Sequence, residues 1–150
     1  MKQKIISIII FIITCFQTPA FCAQILFNEQ IDKISPYISN IKTCGSWNYD
    51  GKRGYYRVIH VGFFNGCSLL YIQWVKEGEH PKVVYTLSID EFNADDHIEF
   101  LFDSPICKAI SKGINIELNA VSGHDDIKRK IKIKVFHKFG TYNFKERIIK

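Results

Sequence analysis

The sequence predicts a mainly β domain, at the margin of the α+β class: an antiparallel sandwich or barrel of about seven strands with an N-terminal helical segment. Runs rich in β-branched and aromatic residues recur along the chain, separated by turns that contain glycine, asparagine or aspartate. One late run alternates lysine with isoleucine or valine, as a strand with one buried face does. Only the stretch before the first clear strand has apolar residues at helical spacing.

The first 23 residues have the three parts of a secretory signal peptide. Two lysines precede an apolar run from Ile5 to Phe16, and a stretch with small residues follows it. The run is shorter than the roughly 20 residues that a membrane-spanning helix needs. We therefore expect residues 1–23 to be a signal peptide that export removes, and residues 24–150 to form a single β-rich domain.

Two alternatives to cleavage follow from the same segment. The apolar run could remain as an anchor helix. Alternatively, Cys15 or Cys22 could carry a lipid, since Ile12-Ile13-Thr14-Cys15 is similar to the modification motif of bacterial lipoproteins. In that motif Thr14 stands where Gly or Ala is usual, so cleavage remains the expectation.

The segment Gln24 to Lys42 is predicted to be helical. Its apolar residues recur every three or four positions, at Phe27, Ile31, Ile34, Ile38 and Ile41. Pro36 lies within this pattern, so it either kinks the helix or begins a second one with Ser35 as its N-cap. Such a segment could pack on one face of the sheet.

The clearest local feature is a β-hairpin of Gly54–Phe64 and Cys67–Lys76 around Asn65-Gly66. Asn-Gly between such runs favours a two-residue type I′ turn, in which both central residues have positive φ. That turn sets Ile59 opposite Ile72. The predicted core face then carries Ile59, Val61, Phe63, Leu70 and Ile72, and the opposite, partly wet face carries Tyr56, His60, Tyr71 and Gln73.

Further strands are predicted after the hairpin, because each run of strand-forming residues follows a turn signal. They are Lys82–Ile89, His97–Phe102, Ile114–Val121, Ile127–Phe136 and Tyr142–Ile149. Short, regularly spaced strands of this kind are typical of an antiparallel sandwich or barrel.

Cys44, Cys67 and Cys107 lie well inside the exported domain, and an oxidising compartment favours the pairing of such thiols. Their spacing matches no zinc pattern such as C-x2-C. We expect a disulfide between Cys44 and Cys107, because Cys67 begins a predicted strand. Since spacing alone does not determine connectivity, pairings that use Cys67 or Cys22 remain alternatives.

Charge is segregated along the chain. Residues 24–103 hold 7 basic and 11 acidic groups, whereas residues 104–150 hold 11 basic and 4 acidic groups. Period-two alternation places four lysines of the late strand on one face: Lys128, Lys130, Lys132 and Lys134. Lys138, Lys145 and Arg147 could extend this cationic surface, which would suit an anionic partner. The alternative interpretation is a solvated strand face whose lysines also discourage edge-to-edge aggregation.

No catalytic, metal or cofactor motif is present, neither G-x-S-x-G, H-E-x-x-H nor a glycine-rich phosphate loop. Two short clusters mix acids and histidine, at residues 95–97 and 124–126, but each sits at a turn, where aspartate favours backbone hydrogen bonds. We therefore assign no catalytic residue, no metal ligand and no cofactor from the sequence.

These observations favour an exported, periplasmic or secreted, non-enzymatic binding module: an inhibitor, an immunity-type protein or an accessory subunit. Its partner is expected to be a protein or an anionic envelope component, contacted through the lysine face or through Lys52 and Arg53 in a polar loop. Nucleic acid is not expected, since aromatics are lacking among the lysines, and membrane contact is expected only with a lipid anchor. The alternatives are a small secreted hydrolase with a site assembled from distant residues, for instance His60, Asp96 and His124, or a lipid-anchored envelope structural protein.

Overall fold

The computed structural model describes residues 34–62, 68–93, 100–122 and 126–149. Contacts divide the chain into the units Met1–Ser35 and Pro36–Lys150, and every element below belongs to the second. The predicted signal peptide and residues 24–33 of the predicted helix lie outside the described residues.

The described residues form nine strands and one helical turn. In chain order these are β1 Ile38–Tyr49, β2 Lys52–Gly62, β3 Ser68–Lys76, β4 Lys82–Ser88, α1 Asp90–Asn93, β5 Phe100–Phe102, β6 Ile106–Ile110, β7 Gly113–Ser122, β8 Lys128–Phe136 and β9 Tyr142–Ile148. The strands make two antiparallel sheets in a sandwich-like arrangement. The predicted fold class is confirmed.

The first sheet has the order β1-β2-β3-β4, and each strand pairs with its neighbour in sequence. Strands β1 and β2 are joined by Asp50-Gly51, with Tyr49 paired to Lys52. Both turn residues have positive φ, 52° at Asp50 and 66° at Gly51, as a two-residue type I′ turn requires. This Asp-Gly turn joins β1 and β2 in a hairpin that was not predicted from the sequence.

The second sheet has the order β5-β7-β8-β9. The short strands β5 and β6 pair in succession with the same edge of β7, β5 at Ala120–Ser122 and β6 at Gly113–Glu117. Strand β8 is therefore an interior strand, with β7 on one side and β9 on the other.

The core lies between the inner faces of the two sheets. Its fully buried side chains alternate along the strands, among them Tyr56, Val58, Leu70, Ile72 and Trp74 of the first sheet and Ile114, Ile116, Ile131, Ile133 and Val135 of the second. Removing each such aliphatic side chain from water contributes roughly 1.5–3 kcal/mol. Packing of this core therefore orients the alternate, outward set of side chains on every strand.

The predicted disulfide is confirmed between Cys44 and Cys107, with the two Cα atoms 5.9 Å apart. Cys44 lies on β1 at the edge of the first sheet, and Cys107 lies on β6 at the edge of the second. The bond thus joins the two sheets covalently beside the shared core.

The predicted register of the hairpin between β2 and β3 is wrong by one residue. Ile72 pairs with Val58 instead of Ile59, and His60 pairs with Leu70. A one-residue slip exchanges the two faces of a strand. In β2 the core face therefore consists of Tyr56, Val58 and His60, while the β3 core residues Leu70 and Ile72 are as predicted. The Asn65-Gly66 turn itself lies outside the described residues.

The predicted helix is wrong at its C-terminal end, where residues 38–42 begin strand β1. Pro36 and Tyr37 form a turn, and the Tyr37 carbonyl accepts a hydrogen bond from the Gly62 amide at 2.9 Å. Backbone pairing with β2 therefore determines the conformation here, although the isoleucines have helical spacing. Strand β6 was also not predicted from the sequence.

Candidate functional site

The outer face of the second sheet is strongly basic. Strand registers place seven cationic side chains on it: Lys128, Lys130, Lys132 and Lys134 of β8, Lys145 and Arg147 of β9, and Lys108 of β6. Two acidic residues of the described part of the chain share it, Glu117 of β7 and Asp103 beside Asn119. We call this surface the basic face. Its four predicted lysines do lie together, and β9 extends them with Lys145 and Arg147 as predicted. Lys138, predicted with them, lies between β8 and β9 and on neither strand.

Glu117 pairs with two of these lysines. Its carboxylate lies 3.1 Å from the Lys132 ammonium and 3.7 Å from that of Lys130. The hydrogen bond and charge of Lys132 hold the pKa of Glu117 below its ordinary value, and the charges of Lys130 and Lys108 lower it further. One carboxylate thus lies among three lysines, and the face keeps a cationic excess.

On the β9 side the neighbours of the same lysines are also cationic. Lys132 lies directly opposite Lys145, and Lys130 lies directly opposite Arg147. Like charges that face each other across paired strands destabilise a sheet. Lys145 and Arg147 form no ion pair among the described residues. The two like-charged pairs are therefore unfavourable for the pairing of β8 with β9.

Protection of a sheet edge does not explain the lysines of β8, because β8 lies inside the sheet. Lysines that discourage aggregation are found on edge strands. The two edges of the second sheet carry β5 and β6 on one side and β9 on the other.

One end of the basic face is a shallow depression of about 450 Å³. It is lined by three lysines, Lys132, Lys134 and Lys145, together with the carboxamides of Asn115 and Asn143, and by Ser111 and Ile110. Ammonium and amide groups donate hydrogen bonds, and ammonium groups accept none. This set of donors suits an oxyanion such as phosphate, sulfate or carboxylate.

The predicted loop residues Lys52 and Arg53 are not part of the basic face. They follow the Asp50-Gly51 turn and belong to the first sheet. The Arg53 guanidinium lies 3.6 Å from the Glu77 carboxylate, and its side chain is 83% exposed. A surface pair of this kind contributes little to stability. The structure thus separates the two predicted contact regions onto different sheets.

For the hydrolase alternative, His60, Asp96 and His124 were one example of a site assembled from distant residues. The last two lie outside the described residues, and His60 is a buried core residue, only 9% exposed. Its Nε2 shares a 3.3 Å hydrogen bond with Ser68 Oγ, and its ring lies 4.4 Å from that of Phe102. These contacts are typical of a structural histidine on the inner face of β2. The prediction that His60 lies on the partly wet face is therefore wrong.

Burial of His60 predicts a specific pH dependence of stability. Desolvation lowers the pKa of His60 below its ordinary value. At a pH between the lowered pKa and the ordinary pKa, the unfolded chain therefore binds a proton that the folded chain does not. The free energy of unfolding should therefore fall as pH drops through about 6.5, the ordinary histidine value. Thermal melts at neutral and mildly acidic pH measure this fall, which should be smaller in His60→Gln. An equal fall in both proteins would contradict the assignment.

Other polar contacts inside the sandwich are also structural. Tyr56 and His137 Nδ1 share a 2.9 Å hydrogen bond, and burial raises the pKa of Tyr56. Tyr142 donates a hydrogen bond to Glu91 at 2.9 Å, and burial followed by this bond raises its pKa to about 12. Both phenols therefore stay protonated at neutral pH. The described residues include no cluster of three or more metal-binding side chains.

Within the described ranges, no helix is long and apolar enough to cross a membrane, since α1 is a single turn. The comparisons with known proteins give no match to a family profile, a curated protein or a solved structure.

Proposed function

We propose that this chain is an exported, non-enzymatic binding module of the cell envelope or secreted space that holds an anionic partner on the basic face. The proposal rests on one observation: among the residues that the structure describes, seven cations and two acids share one open sheet face. Such a surface steers and concentrates partners of opposite charge. An inhibitor, an immunity-type protein or an accessory subunit would use it in the same way.

The disulfide supports a periplasmic or secreted location. Disulfides persist in oxidising compartments and are rare in the reducing cytosol. The bond between Cys44 and Cys107 joins two sheets of the core, so the fold itself benefits from such a compartment.

Charge reversal on the basic face tests the proposal. In Lys132→Glu/Lys145→Glu, two acids replace two lysines that line the depression. Binding to immobilised dextran sulfate at low salt should weaken on the order of tenfold or more, because the cationic excess of the face nearly disappears. Retention against a salt gradient measures the change.

A matched variant, Lys52→Glu/Arg53→Glu, changes the net charge equally on the first sheet. It should bind dextran sulfate nearly as well as the unchanged chain. Equal loss in both variants would mean that net charge alone governs binding, and loss in the Lys52 variant alone would place the contact at the Asp50-Gly51 turn. Either result would overturn the proposal.

A further inference from the structure

The basic face has an apolar margin. Along the edge formed by β5 and β6, Leu101 is 53% exposed and Ile106 is 59% exposed. Both point outward, because their neighbours Phe102 and Cys107 point into the core. Isoleucine and leucine at such exposure leave apolar surface in water that a partner could cover.

The margin continues at both ends of the face. At one end, Leu101, Val121 and Ile149 line a depression of about 550 Å³. Polar side chains of Lys128, Asp103 and Asn119 line it as well. At the other end, the Phe136 ring lies beneath the Lys134 ammonium, 5.2 Å from ring centre to Nζ. The depression lined by Lys132, Lys134 and Lys145 is adjacent to this end. Cationic groups thus occupy the middle of the face, and apolar groups border it.

We propose, on the basis of the function proposed above, that the basic face docks directly on an anionic phospholipid surface. Lysines and arginine beside such a surface gain attraction from its negative potential. Exposed aliphatic and aromatic side chains at the margin enter the boundary between headgroups and acyl chains. The depression lined by Lys132, Lys134 and Lys145 receives a headgroup phosphate. Leu101, Val121 and Ile149 face the acyl chains.

A lipid surface accounts for both parts of the face, whereas a soluble polyanion accounts for one. A sulfated or phosphorylated polymer would contact the cations and leave Leu101 and Ile106 in water. An acidic protein partner would have to match the apolar margin with its own apolar groups. This contact is made by the folded domain itself, whereas from the sequence membrane contact is expected only through a lipid anchor.

Vesicle flotation of the purified chain tests this inference. The probes are vesicles of phosphatidylglycerol with phosphatidylcholine and vesicles of phosphatidylcholine alone. The chain should float with the anionic vesicles and not with the neutral ones, which also measure any contribution of the apolar N-terminal residues. Lys132→Glu/Lys145→Glu should weaken anionic vesicle binding on the order of a hundredfold, and Lys52→Glu/Arg53→Glu should not.

A second variant separates the lipid inference from the proposed function. Leu101→Ser/Ile106→Ser removes two exposed apolar side chains without a change in charge, and surface changes of this kind have little effect on folding. It should bind anionic vesicles several-fold more weakly and bind dextran sulfate as the unchanged chain does. Vesicle binding that is unchanged by these serines, or dextran sulfate binding without any vesicle binding, would overturn the lipid inference while leaving an anion-binding face.

Discussion

Removal of the disulfide should lower the free energy of unfolding by about 4 kcal/mol. Cys44 and Cys107 are separated by 63 residues, and a crosslink over a loop of this length strongly restricts the unfolded chain. The bond also holds together β1 and β6, which lie at the edges of different sheets. Cys44 is only 3% exposed, so Cys44→Ala/Cys107→Ala is preferred over serine because it buries no hydroxyl.

Urea denaturation of this variant under oxidising conditions measures the loss in free energy of unfolding. In a thermal melt of the same variant, the melting temperature should fall on the order of 20 °C. The unchanged chain treated with a reducing agent is the matched control and should lose the same stability. If reduction destabilises the unchanged chain and the alanine variant equally, another disulfide would be implicated. If neither treatment changes the denaturation midpoint, the bond does not stabilise the fold.

Substitution of Gly54 is also expected to have a large effect. A Cβ atom at this position would lie 1.9 Å from the Val75 carbonyl oxygen and 2.9 Å from a ring carbon of Trp47. Neither can move easily, since Val75 belongs to β3 and Trp47 is 1% exposed. Gly54→Ala should therefore cost at least the roughly 1–3 kcal/mol typical of overpacked cores, and the β1–β2–β3 pairing should be distorted.

Gly51→Asn is the control for this prediction. A Cβ at Gly51 has no neighbour within 4 Å, and asparagine tolerates the left-handed conformation of that turn. Chemical denaturation of the two variants should give a large loss for Gly54→Ala and a small one for Gly51→Asn. Equal losses would contradict a steric role for Gly54.

Strands β7 and β8 of the second sheet could be predicted from the sequence because their alternation is strong. In β8, lysine alternates with Ile131, Ile133 and Val135, so only one face could be buried. The same alternation identified the lysines of the basic face. By contrast, the contributions of Lys108 and Glu117 depend on which strands pair, and local pattern does not determine pairing order.

The hairpin of β2 and β3 shows why some faces could not be predicted. Both faces of β2 are apolar: Ile59 and Val61 alternate with Val58 and Tyr56. Local pattern therefore does not choose between the two registers. In the structure Tyr56 contacts Trp74 in an edge-on arrangement at 5.5 Å, and His60 packs on Phe102. Contacts between residues distant in sequence select the buried face.

Strand β1 was missed because its alternation is broken. Its register shifts twice, between Ile38 and Asn40 and between Cys44 and Ser46, and each shift changes which side chains face inward. As an edge strand it also exposes most of its residues, including Ile41 at 43%. The helical spacing of its isoleucines then dominates the sequence pattern, although pairing with β2 decides the structure.

Backbone NMR of the isotopically labelled chain tests the location of the anion contact most directly. Titration with inorganic tripolyphosphate should shift the amide signals of β8 and β9 around Lys132, Lys134 and Lys145, while those of residues 50–53 stay unchanged. That result would agree with anion binding on the outer face of the second sheet. Shifts centred on residues 50–53, or none on β8 and β9 at saturating tripolyphosphate, would contradict it.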